Sequence, residues 1–139
     1  MVKFKNYFHT IFKGSGFKEW KDGFNRDNIP KSVLDKSYFM TYSINTVENG
    51  TQMEDNINIE IECFFKGYRN PQDAIDNAME TVNSIRLEIL NPVSIASFLE
   101  VNILGIDSVS QTPEPLNAYN DNSIIITAEF NLRLIQINC

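Results

Sequence analysis

A chain of 139 residues with 42% hydrophobic, 22% charged and 12% aromatic side chains is long enough for one domain with its own core. Its composition excludes a wholly disordered chain, a collagen-like fibre and a coiled coil. Eighteen Asp and Glu against twelve Lys and Arg leave a formal charge of −6, the wrong sign for a protein that grips nucleic acid through its phosphates.

The first residues alternate Lys and Asn with apolar side chains, so they lack the continuous apolar core of a signal peptide. They carry a helical signal instead: Phe4, Tyr7, Phe8, Ile11 and Phe12 recur on one face of a 3.6-residue period, which predicts a helix over residues 2–13. Gly14-Ser15-Gly16 stops it, because glycine readily takes the left-handed conformation of a helix end. Residues 17–36 have no clear period and read as mixed loop.

Two strands come next. Tyr38, Met40, Tyr42 and Ile44 alternate with Thr41, Ser43 and Asn45 over residues 38–47. Over residues 55–65, Ile57, Ile59, Ile61, Cys63 and Phe65 face one way and Asn58, Glu60 and Glu62 the other. Period-2 patterning of this kind marks half-buried antiparallel strands. Asn49-Gly50 between them suits a hairpin turn, so the strands are expected to be neighbours.

Asn70-Pro71-Gln72-Asp73 opens a long helix: Asn70 caps the free amides, Pro71 suits the first position, and Asp73 complements the helix dipole. Ala74, Ile75, Ala78, Met79, Val82, Ile85 and Ile89 form its apolar stripe, and Asn91-Pro92 ends it. Residues 93–99 read as one more helical turn or a loop. A strand is predicted over residues 100–109, then an exposed loop over 111–122, where Pro113 and Pro115 accompany clustered Asn and Asp. Residues 123–137 form a closing strand, with Ile124, Ile126, Ala128, Phe130, Leu132 and Leu134 on one side. The expected fold is α+β: a single domain, residues 1–139, with one mainly antiparallel sheet of about four strands packed against a long helix and an N-terminal helix.

Few residues offer chemistry. The single histidine, His9, lacks a nearby nucleophile elbow and reads as a surface or packing residue. Cys63 sits on the apolar side of a strand, where a free thiol behaves as a small hydrophobe. With Cys139 it makes neither a disulfide framework nor a metal-ligand set, so a reducing compartment is expected. Lys13-Gly14-Ser15-Gly16 is too short for a phosphate loop and follows a helix rather than a strand. Glu60 and Glu62 share the polar face of one strand; paired carboxylates do acid–base work when burial splits their pKa values, and an alternating solvated face is the plainer reading. The expectation is a protein that is not an enzyme and has no cofactor or metal: a subunit of an assembly.

The order of elements resembles that of the tail terminator (tail completion) proteins of long-tailed bacteriophages. The matching segments are Tyr38-Phe-Met-Thr-Tyr-Ser-Ile44, then Ile57 to Gly67 running into Asn70-Pro-Gln-Asp-Ala-Ile-Asp76. They continue with Ile103 to Ser110, a polar loop through Tyr119, and Ile124 to Leu134. The likeness is a pattern of elements from residue 38 onward and not a sequence motif. It implies a virion structural protein: a homo-oligomeric ring, usually a hexamer, at the head-proximal end of the tail tube. Such a ring stops tube polymerisation and joins the tail to the neck. The implied partners are further copies of the chain, the tail tube protein and a neck or head-completion protein. DNA would pass through the lumen without specific binding, no membrane would be involved, and assembly would occur in the host cytoplasm. A neck or head-completion (connector) protein of the same virion, and a small cellular binding module, are the alternatives. Under the ring reading Glu60 and Glu62 are candidate lumen residues, or else only keep the outer surface soluble. Asn49, Gly50, Pro113, Pro115 and Tyr119 are candidate arms toward a neighbouring subunit.

Overall fold

The computed structural model describes residues 4–21, 29–30, 34–49, 52–67, 70–97, 103–116 and 122–135. Helix α1 spans Phe4–Gly14 and buries the five predicted apolar residues, Phe4, Tyr7, Phe8, Ile11 and Phe12. It ends as its glycines foretell. Gly16 has φ +90°, the Phe17 amide bonds the Phe12 carbonyl at 3.0 Å, and the Gly16 amide bonds that of Lys13 at 3.1 Å. This is a Schellman closure, and its accompanying apolar contact is the edge-to-face pair of Phe12 and Phe17, 5.5 Å between ring centres.

The sheet contains β1 (Lys18–Glu19), β2 (Ser37–Asn49), β3 (Gln52–Phe65), β4 (Ile103–Pro115) and β5 (Ile124–Ile135), in the spatial order β1-β2-β3-β5-β4. All neighbours are antiparallel except β1, which runs parallel to β2. Helices α2 (Pro71–Ile89) and α3 (Pro92–Ser97) lie in the connection from β3 to β4. The α+β class holds. Among the described residues the sheet has five strands where about four were expected, and it is mixed, because part of the stretch expected to be loop supplies the short edge strand β1. Two residues are too few to show a period, so only pairing with β2 reveals it.

A second correction concerns residues 111–122. The first five belong to β4, which continues through Pro113 opposite Ile126 to Pro115 opposite Ile124. β4 is an edge strand, where a residue without an N–H leaves no inner ladder bond unmade, so its prolines do not end it. β3 also starts earlier than its clear alternation, pairing Asn49 with Gln52 at the hairpin end.

The side chains sort by face as the alternation requires. Ile57, Ile59, Ile61, Cys63, Phe65, Ile124, Ile126, Ala128, Phe130 and Leu132 form one core with Val82, Ile85 and α1, and Ile75 and Met79 pack against it half-buried. Full burial of each Ile, Leu, Val or Phe among them contributes about 1.5–3 kcal/mol. Tyr7 joins the two helices: its hydroxyl donates to the Ile89 carbonyl at 2.7 Å. Gln111 joins the far edge to α2, its amide donating to the Met79 carbonyl at 2.7 Å. On the opposite face, among the described residues, Phe64, Ile125, Leu116, Ile29 and Leu34 form a small separate cluster with Trp20 and Phe39 at one end.

Candidate functional site

Away from that cluster, the open face of the sheet is polar, and it contains both predicted glutamates. Glu60 is exposed and lies between Thr41 on β2 and Glu129 on β5; Glu62 is half-buried and lies between Phe39 and Thr127. Glu129 is a third acid that sequence reasoning missed, since pairing across strands far apart in sequence is what sets it beside Glu60. The alternation of β5, which puts Glu129 on the polar side, was the available signal. Asn58 holds the group together. Its amide donates to Glu129 Oε1 at 2.8 Å and to Asn131 Oδ1 at 3.1 Å, and the Ser110 hydroxyl donates to Glu129 Oε2 at 3.3 Å. Farther toward the hairpin, Arg133 approaches Glu54 at 4.0 Å. Asn45, Asn56, Asn58, Asp107, Asn131 and Arg133 border a shallow polar hollow of about 410 Å³ on this face. Hydrated carboxylates and amides in this arrangement make a wettable, mainly acidic surface. No group of three or more His, Cys, Asp and Glu suited to a metal ion occurs among the described residues.

The proposed arms fall at opposite ends of the sheet. Asn49 is the last residue of β2, at the hairpin end, where Glu54 pairs with Ile135. Pro113 and Pro115 belong to the edge strand at the other end, beside Ile124. Gly50 and Tyr119 lie outside the described residues. The two prolines line a notch of about 250 Å³ with Pro71, Ile75, Ser123 and Ile124, at the start of α2. There the Asn70 side chain caps the helix, accepting from the Gln72 amide at 2.8 Å.

His9, on α1, contacts the β1 edge of the sheet. Its Nδ1 is 2.6 Å from the Tyr38 hydroxyl and its Nε2 is 3.8 Å from Glu19 Oε2. Burial, then the nearby Glu19 carboxylate, hold the Tyr38 phenol well above its ordinary pKa, so it stays protonated and donates. That makes Nδ1 the acceptor and leaves the ring proton on Nε2, facing Glu19. Burial also lowers the His9 pKa; Glu19 acts against that shift, and Lys5 and Lys13 add to it. Because Tyr38 is fully buried, the group is a packing contact between α1, β1 and β2. Burial, with a contribution from Glu62, raises the Cys63 pKa far above that of a reactive thiol. Tyr7 is pushed up to about 12 by burial and by Glu88.

No family model matches the sequence. No curated protein matches it either. Among solved structures, the chain is similar to one described as "Virion of native gene transfer agent (GTA) particle", with a TM-score of 0.56 and 9% sequence identity, over 77% of this chain and 74% of that one. At that identity the likeness is one of fold.

Proposed function

We propose that this chain is a structural protein of a phage or phage-like virion and, within that class, a tail terminator. It would form a ring, a hexamer by resemblance, that caps the head-proximal end of the tail tube, stops its polymerisation and joins it to the neck. The fold shared with a chain of a gene transfer agent virion over most of both lengths is the observation that carries the virion part. The order of elements from residue 38 onward, with its resemblance to terminators, supports the finer part. The polar sheet face supports it as well. A ring through which DNA passes must not retain phosphate, and clustered Lys and Arg would do so. Glu60, Glu62 and Glu129 on one face repel it instead, within a screening length of roughly 10 Å at 0.1 M salt. The reading assigns no catalysis to the chain.

The test is tail length. Particles assembled without this chain should carry tubes longer than normal, because nothing stops growth, and supplying the chain should restore the length. Tubes of normal length that fail to join heads would overturn the terminator role in favour of a neck protein. Changing Glu60 and Glu62 together to Lys should leave tails of normal length and slow DNA ejection. Unchanged ejection would place these carboxylates outside the lumen.

A further inference from the structure

Among the described residues, the outer edge of β2 is open over most of its length. β1 covers only Ser37 and Tyr38, and the Trp20 amide closes onto the Tyr38 carbonyl at 2.8 Å. Beyond that point no described strand pairs with this edge. Lys36 and Tyr38 point their carbonyls toward β1. By the alternation of a strand, Met40, Tyr42, Ile44 and Thr46 turn their own N–H and C=O groups the same way, into the open.

Natural edges are blunted by charges, prolines and bulges. β4, the opposite edge, has all three: Asp107 and Glu114, Pro113 and Pro115, and register shifts between Ile103 and Gly105 and between Ser108 and Ser110. β2 has none of the three from Ser37 to Val47: neither charge nor proline in sequence, and an unbroken register with β3. It presents large apolar side chains instead, with Tyr42 39% exposed, Ile44 48% and Val47 38%.

We propose that the segment Met40–Thr46 of β2 pairs antiparallel with the same segment of a second copy, about a twofold axis at Ser43. The segment is self-complementary in that register. Met40 meets Thr46 and Tyr42 meets Ile44, each pair having its backbone groups turned outward, so the ladder bonds of both strands are made. Thr41 meets Asn45, and Ser43 meets its own copy. Tyr42 against Ile44 is an aromatic–β-branched cross-strand pair, it occurs twice, and it covers the two side chains left exposed on the helix side. No charged residue lies within the two paired segments; the nearby cation is Lys5, whose Nζ stands 5.7 Å from the centre of the Tyr42 ring. β1 and Trp20 bound the pairing at its other end, which fixes the register. The blunted β4 edge is the poorer partner, so the contact joins like edges. This contact does not depend on the virion reading.

Sedimentation of the purified full chain over about 1 to 100 µM should show a dimer that dissociates on dilution. Ile44→Pro removes an outward N–H and leaves the ladder to β3 intact; Ile44→Lys places a charge in the apolar pair. Each should weaken dimerisation by about tenfold or more, with circular dichroism unchanged. Val109→Lys, on the opposite edge, should leave the dimer as it is. Hydrogen exchange at the Tyr42 and Ile44 amides should slow as concentration rises. A monomer across the whole range overturns the proposal. So does any oligomer that both Ile44 variants leave intact, or one that Val109→Lys disrupts. A six-membered ring indifferent to Ile44 would overturn this pairing and leave the terminator reading standing; a β2 dimer in solution together with tubes of normal length in particles assembled without the chain would do the reverse.

Discussion

Replacing Ile59 with Ala removes three carbons at the centre of the sheet. Ile59 is fully buried, sits between Tyr42 on β2 and Phe130 on β5, and faces the helical layer. Two effects add: the lost transfer of those carbons out of water, and the void left among neighbours that cannot collapse. Aromatic Phe130 on one side and the paired strand on the other limit that collapse. Truncations of this kind cost about 2–5 kcal/mol, and a central, fully buried site belongs in the middle of that range. At roughly 3–5 °C per kcal/mol for a domain of this size, the melting midpoint should fall by about 10–15 °C. Thermal and urea unfolding followed by circular dichroism measure it, and the urea slope should be unchanged. Glu60→Ala, the next residue on the same strand, is the control and should move the midpoint by only a degree or two. If Glu60→Ala were as costly as Ile59→Ala, the face assignment of β3 would be wrong. A loss below about 1 kcal/mol at Ile59 would mean the core around it is not packed as described.

The acidic face supplies a paired prediction. Glu60→Gln removes one of two carboxylates directly opposed across β3 and β5, so it should be neutral or stabilising by about 0.2–1 kcal/mol, the stabilising part fading at high salt. Asn58→Asp should destabilise, since the Asn58 amide donates to Glu129 at 2.8 Å and a carboxylate there would repel it; denaturant titration separates the two. His9 favours its neutral form in the fold, with a pKa below the ordinary 6.5, so the stability it contributes is complete above about 6.5 and is lost as pH falls through the lowered value. Melting midpoints between about pH 5 and 8 should therefore decline on acidification, and His9→Gln should flatten that decline; an equal decline in the variant would assign it to other groups. Asn70→Ala removes the cap on α2 and should cost about 1 kcal/mol, read by thermal melting, whereas Asn70→Ser should cost little.

Local rules were enough for α1, β2, β3, α2 and β5. Each has a long amphipathic period, and their ends carry residues whose preferences are steric or hydrogen-bonding in origin: Gly16 at φ +90° and the Asn70 cap. The division of β3 into Ile57, Ile59 and Ile61 against Asn58, Glu60 and Glu62 was likewise readable, because a strand has only two faces. Three features depended on the tertiary structure. β1 is two residues long and exists only because Lys18 and Trp20 find the carbonyls of Lys36 and Tyr38. The prolines of β4 read as loop, since proline disfavours a strand unless the strand lies at an edge, and strand order is not written in any local window. The grouping of Glu60 with Glu129, and of His9 with Tyr38 and Glu19, likewise required the register between segments far apart in the chain. Periodicity fixes which way a side chain faces along its own element; what it then meets is decided by which element lies alongside, and that is settled by the burial of the whole core at once.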